Sequence, residues 1–339
     1  MAKVIKLADA VKGYLLSRKS KCNDRTIGWY RQKLAHFCSI LECEYGVTKL
    51  QNVSVTHLRL FVEHMKETKA DANNPHKPTR ENVNVRDVTV KGYVQCIKGF
   101  FNWCVREELI KKNPTLQLDN PKVSRYVIKT FTEDQIKAML AACDTSMMIG
   151  FRDYTIILLL LDTGIRVAEL CGLTLDRVYL AVLNEAFIKV MGKGRKEREV
   201  GLSADVAQHL WKYIHARRCP KDETDQTLFI NVFGEPLTAN GVEQLLREVA
   251  KRANITGVRV SPHTFRHTFA RMFLENGGDV YKLSLLLGHS SVVVTENYLK
   301  DFYSRNARQG QSKHSPVASL EIGKLKKGFR KGPSDVLGD

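Results

Sequence analysis

The sequence lacks any apolar run that could cross a membrane. Its most apolar stretch, Ile156 to Leu161, is far short of the ~20 residues a spanning helix needs. No succession of charged, apolar and small residues at the N-terminus reads as a secretory signal. The eight cysteines (22, 38, 43, 96, 104, 143, 171, 219) form no CxxC pair and no regular spacing. Most sit in apolar, helix-like stretches, which points to reduced thiols rather than a disulfide framework or a zinc site. No acidic cluster of the kind that holds Mg²⁺ is apparent, and there is no internal repeat or low-complexity tract. These absences lead to the expectation of a soluble, cytoplasmic protein with no metal and no cofactor.

Acidic residues are also in short supply. The 339 residues carry 53 Lys and Arg against 36 Asp and Glu, a net charge of +17. Residues 1–125 alone hold 23 basic and 12 acidic side chains, residues 126–310 hold 24 and 21, and residues 311–339 hold 6 and 3. A basic N-terminal third points to a polyanionic partner, most simply nucleic acid. A solvated basic surface is the plainer alternative.

A length of 339 residues suggests two domains, at roughly 100–200 residues each. Helical periodicity organises the first ~120 residues. Leu7, Ala8, Val11, Tyr14 and Leu15 share one face of a first helix, and Ile27, Tyr30, Leu34, Phe37, Cys38 and Leu41 one face of a second. Leu58, Phe61, Val62 and Met65 mark a third helix, and the apolar series from Val90 to Val105 a fourth. Between these last two lies a polar stretch, Lys69 to Arg86, with Pro75 and Pro78. It is long for a loop inside a compact domain. Residues 121–129 read as a linker. A second domain then opens with Thr132 as N-cap and Gln135 completing a capping box. It is expected over 130–310, followed by a basic tail over 311–339.

Four segments of this second domain carry candidate chemistry. A fully apolar helix runs to Leu161, Thr163-Gly164 breaks it, and Arg166 begins a short second helix. Its guanidinium matches phosphate oxygens in geometry, or else it pairs with Glu169. Phe187 to Met191 reads as a strand, Gly192-Lys193-Gly194-Arg195-Lys196 as a turn, and Arg198 to Val200 as the return strand. Lys193 at the tip reaches an outside partner or is merely solvated. Ser261-Pro262 starts a helix on which His263 and Arg266 lie near the positive end, an arrangement that suits an anion. His267 beside them packs or hydrogen-bonds. In the fourth segment Gly288 ends a helix, His289 sits at the corner, and Tyr298 lies about two turns into the next helix.

The order Arg166, Lys193, His263-x-x-Arg266, His289, Tyr298 resembles the tyrosine recombinase (phage integrase) family. The matching stretches are TGIRVAEL (163–170), GKGRKEREV (192–200), HTFRHTFA (263–270) and LGHSSVVVTENY (287–298), with the family's nine-residue step from His289 to Tyr298. Residues 1–120, especially 93–114, look like the family's helical core-binding (SAM-like) domain.

The resemblance implies a mainly α protein with a small antiparallel sheet, whose two domains clamp duplex DNA. It implies that Tyr298 attacks the scissile phosphodiester, giving a 3′-phosphotyrosine that stores the bond energy without ATP. Arg166 and Arg266 would clamp the non-bridging oxygens, and Lys193 would protonate the departing 5′-oxygen. His263 would assist proton transfer at Tyr298, and His289 would hydrogen-bond the phosphate. It further implies inverted-repeat core sites, a homotetramer exchanging strands through a Holliday junction, and tail contacts between protomers, with an accessory DNA-bending or directionality protein as a possible further partner. A nucleoid location follows from such a substrate. A silent DNA-binding relative is disfavoured by the complete residue set, and a type IB topoisomerase by the length and the fit of residues 1–120. No additional arm-binding domain is recognised. A mobile-element integrase is favoured over an Xer-type dimer resolvase by the 69–86 stretch and the basic tail.

Overall fold

The computed structural model describes residues 4–70, 80–123, 129–182, 185–192 and 196–288. The chain packs as two units, one up to residue 126 and one from 127 onward.

The first unit is built on four helices: α1 (Leu7–Arg18), α2 (Asp24–Tyr45), α3 (Val55–Glu67) and α4 (Asp87–Arg106). Local chemistry sets their ends. Asn23 accepts from the Thr26 amide at 2.9 Å to start α2, and Gly46, at φ 65°, stops it. Ser54 and His57 cap α3 reciprocally. The apolar faces meet in one core that includes Leu34, Phe37, Phe61, Val94, Phe100 and Phe101. Tyr14 stands edge-on to Tyr30, Phe100 and Trp103. The face expected of α1 is shifted in one place: Ala10 is buried and Ala8 is exposed. The stretch expected to be a long loop also differs. Its flanks form two short antiparallel strands, β1 (Lys69–Ala70) and β2 (Arg80–Asn84), with Lys69 opposite Asn84. Pairing satisfies backbone groups that a plain loop would leave to water.

The second unit surrounds α6 (Met148–Thr163), whose Ile156, Ile157, Leu159 and Leu160 have no solvent exposure. Around it lie α5 (Glu133–Ala141), α7 (Val167–Cys171), α8 (Ala204–Ala216), α9 (Ala239–Arg252), α10 (Pro262–Glu275) and α11 (Val280–Leu287). The capping box of Thr132 and Gln135 starts α5. One face of the unit carries a three-stranded antiparallel sheet in the order β3 (Val178–Tyr179), β4 (Phe187–Met191), β5 (Glu197–Gly201). Ile188 pairs with Val200, and Val190 with Arg198. Alternation along β4 and β5 buries Ile188, Val190 and Val200. Strand β3 is too short to leave a sequence pattern. The mainly helical architecture with a small antiparallel sheet is as expected. Among the described residues, no helix is long and apolar enough to cross a membrane.

Candidate active site

The site begins where α6 stops. Gly164 takes the left-handed conformation at φ 60°, and a Cβ there would lie 2.3 Å from Cδ1 of Phe269 and 3.0 Å from Leu287. Only glycine combines that backbone angle with so close an approach to α10 and α11. Two residues later Arg166 is the N-cap of α7. Its backbone N–H donates to Oε2 of Glu169 at 2.9 Å, and its Nη1 donates to Oε1 at 2.8 Å. The two readings of Arg166 are therefore compatible. It pairs with Glu169, yet its side chain remains 35% exposed while that of Glu169 is only 4% exposed.

Arg266 comes from α10. Ser261 caps that helix by accepting from the Thr264 amide, and Pro262 occupies the first turn. One turn in, Arg266 is 3% exposed; its Nη1 donates to the carbonyl of Gly164 at 2.8 Å and its Nη2 to that of Leu287 at 2.6 Å. A third guanidinium completes the cluster. Arg198 of β5 donates from Nη1 and Nη2 to the two oxygens of Glu169, both at 2.9 Å, and from Nε to the carbonyl of Leu286 at 2.8 Å.

The three arginines thus converge on the end of α11. Leu286, Leu287 and Gly288 present consecutive carbonyls to Arg198, Arg266 and Arg166, the last at 3.3 Å. These are carbonyls that a helix leaves without partners at its negative end. Gly288 closes the helix at φ 61°.

The electrostatics follow from one carboxylate paired with two of the three guanidiniums. Burial pushes the Glu169 carboxyl up, but hydrogen bonds from Arg198 and from the Arg166 backbone outweigh it and hold the group below its usual range. Glu169 is therefore ionised, and the cluster keeps an excess of positive charge. On α10, His263 is exposed. His267 is pushed down to about 4 by burial, then by His263 and Arg266, so it is neutral at pH 7.

Of the residues singled out in the sequence, Arg166 and Arg266 are brought together on adjacent carbonyls of one helix end, and His263 lies one turn before Arg266. Lys193, His289 and Tyr298 lie outside the described residues, as does the tail from 311 to 339. Their described neighbours bear on the cluster: a Cβ on Gly192 would stand 3.5 Å from Nη1 of Arg198, and one on Gly288 would stand 2.9 Å from the same atom. Sequence reasoning missed Arg198 as part of the site. The usable signal was period-two alternation, which places Arg198 on the same side of β5 as buried Val200. An inward arginine needs an acidic or carbonyl partner. Among the described residues, no group of three or more His, Cys, Asp or Glu is placed to hold a metal ion.

Comparisons with known proteins bear on the family of the chain. The family model described as Phage integrase family matches residues 129–305, just over half of the chain. Tyrosine recombinase XerD of Staphylococcus aureus is 35% identical over 212 residues, covering 62% of this chain and 70% of the relative. Tyrosine recombinase XerD of Staphylococcus saprophyticus is 30% identical over 278 residues, covering 81% and 88%. Among solved structures, the XerH site-specific recombinase bound to its palindromic difH substrate superposes with a TM-score of 0.69 at 19% identity, covering 86% of this chain and 80% of that one. The Tn1549 transposon integrase in complex with transposon right end DNA gives 0.69 at 20% identity, covering 90% and 99%.

Family model and relatives define an enzyme that cleaves and rejoins DNA strands. The chain belongs to the phage integrase family, the tyrosine recombinases.

Proposed function

We propose that this recombinase acts through Tyr298, which attacks the scissile phosphodiester to form a 3′-phosphotyrosine and release a 5′-hydroxyl. The observation that carries the reading is the pairing of Arg166 and Arg266 on adjacent carbonyls of Gly288 and Leu287. Two cations fixed side by side, with the one Glu169 carboxylate shared between Arg166 and Arg198, suit the two non-bridging oxygens of a phosphate whose charge grows in the transition state. Lys193 protonates the leaving 5′-oxygen, His263 assists proton transfer at Tyr298, and His289 hydrogen-bonds the phosphate. Rejoining by the reverse attack needs no ATP. The substrate is duplex DNA with inverted-repeat core sites, bound by a homotetramer that exchanges strands through a Holliday junction. Residues 1–120 serve as the core-binding domain, 130–310 as the catalytic domain, and 311–339 as a contact between protomers.

Full-length protein is first used to select its site from random duplex DNA. A nicked suicide duplex bearing that site then traps the covalent adduct, and the labelled peptide is mapped. Tyr303, five residues later in the sequence, is the competing tyrosine: adduct should vanish in Tyr298→Phe and persist in Tyr303→Phe, and the reverse pattern would refute the assignment.

The biological role proposed is mobilisation of a genetic element, supported by the 69–86 stretch and the basic tail. A chromosome- or plasmid-dimer resolvase is the second reading, favoured by the two XerD relatives at 30–35% identity. Inverted repeats bounding the gene's own element support the first, and a single chromosomal site away from the gene supports the second.

A further inference from the structure

The three nitrogens of the Arg198 guanidinium are each engaged by the protein, and its side chain is only 14% exposed. It is therefore poorly placed to bind phosphate itself. Arg166 makes fewer such bonds and is 35% exposed. The two share one carboxylate: Oε1 of Glu169 accepts from Nη1 of both arginines, and Oε2 from the Arg166 backbone and Nη2 of Arg198.

We infer that Arg198 is a positioning residue for strand cleavage, holding Glu169 so that Arg166 stays oriented without being neutralised, and pinning the end of α11 through Leu286. Without Arg198, the buried Glu169 carboxylate has Arg166 as its remaining guanidinium partner. Removing one partner of a buried ion pair leaves uncompensated charge, and Arg166, already bonded to Oε1 through Nη1, is the guanidinium placed to take up the oxygen that Arg198 Nη2 vacates. Arg166 would then be pulled toward Glu169 and away from substrate. The same guanidinium lies against Gly192 and Gly288, the residues before Lys193 and His289. One side chain thus lies against the chain beside two of the residues assigned to the chemistry and shares a carboxylate with a third, Arg166, and its loss acts on rate rather than on DNA affinity.

This inference rests on the reading that Arg166 clamps the phosphate, and the experiment separates the two. Single-turnover cleavage of the nicked suicide duplex and binding of the intact duplex are measured for wild type, Arg166→Ala, Arg198→Ala, Arg198→Lys and the double variant Arg198→Ala/Glu169→Gln. Thermal unfolding of each checks the fold. Arg198→Ala should cleave roughly 10–100-fold more slowly, the scale seen when a partner that orients a metal ligand is lost. Its DNA affinity should stay within about twofold, because many other phosphate contacts remain.

The diagnostic result is relief. Removing the charge of Glu169 in the double variant should restore part of the rate that Arg198→Ala loses, whereas a purely structural arginine would give a double variant no faster than the single. Arg198→Lys, which keeps a cation but cannot span both carboxylate oxygens and the Leu286 carbonyl, should fall between Arg198→Ala and wild type. If Arg198→Ala does not fold, Arg198→Lys at the wild-type rate overturns the inference. A slow Arg166→Ala together with no relief in the double variant overturns it alone; Arg166→Ala at the wild-type rate overturns the phosphate-clamp reading beneath it.

Discussion

Replacing Gly164 with alanine tests whether the α6 terminus holds the site together. Two costs add at this position. A residue with a Cβ in the left-handed region costs roughly 1–2 kcal/mol. The new methyl would also stand 2.3 Å from Cδ1 and 2.9 Å from Cγ of Phe269, and 3.0 Å from Leu287. Overpacking of a closed core costs roughly 1–3 kcal/mol. Gly257 supplies the control in the same unit: its φ is 76°, with nothing within 4 Å of a built Cβ. Gly257→Ala carries the backbone cost alone, and both variants gain equally from a less flexible unfolded chain. The difference between them should therefore be roughly 1–3 kcal/mol, all of it packing. Denaturant titration followed by the ¹⁹F signal of fluorotryptophan at Trp211, on α8, reads the second unit. Because the Gly164 carbonyl accepts from Arg266 at 2.8 Å, Gly164→Ala should also slow cleavage while Gly257→Ala should not. Equal stability losses at the two glycines would refute the reasoning.

Arg166→Ala and Arg266→Ala should each slow cleavage roughly 10²–10³-fold, the scale of losing one preorganised transition-state donor, with site affinity in gel-shift titration little changed. His267, held down to about 4 by burial and by His263 and Arg266, refuses a proton in the folded state that the unfolded chain accepts near its ordinary 6.5. The stability this represents is complete above about 6.5 and drains away as pH falls toward 4, so His267→Phe should lose less stability than wild type when denaturation is compared at pH 7 and pH 4.5. Truncation after Arg308 should leave single-site binding intact while reducing tetramer formation in sedimentation and recombination of paired sites; full recombination by the truncated chain would show the tail dispensable.

Much of the fold was legible because its signals are local. The Thr132 and Gln135 capping box, the Ser261-Pro262 start and the Gly164 and Gly288 stops each depend on a few neighbouring residues, and each is found where the pattern puts it. Burial of α6 followed from its unbroken apolar run. The two-residue strand β3 and the pairing of Lys69 with Asn84 were not legible, since they are fixed by partners rather than by periodicity. The site divides in the same way. Arg166 and Arg266 stood out through motif order, but the meeting of Arg198 with Glu169, 29 residues apart, and with Leu286, 88 residues apart, is a product of tertiary packing. Period-two alternation could place Arg198 inward; it could not say what waited there.

The choice of partners explains how the cluster keeps a net positive charge. Two opposite unit charges 4 Å apart interact by roughly 4 kcal/mol at the effective dielectric of a protein surface, so a carboxylate for every arginine would hold the cations firmly and leave them nothing to offer a phosphate. Here one carboxylate serves two guanidiniums, and carbonyls at the ends of α6 and α11 add further anchors, whose dipoles orient a cation without cancelling it. The bonds are also graded. Arg266 is held at 2.6 and 2.8 Å and is buried, whereas Arg166 reaches Gly288 at 3.3 Å and is partly exposed. A 3.3 Å contact is long for a hydrogen bond and cheap to exchange for a phosphate oxygen. On the proposed phosphate-clamp reading, Arg266 is the fixed half and Arg166 the half that adjusts to substrate, and the inferred role of Arg198 is to keep that adjustable half oriented through Glu169.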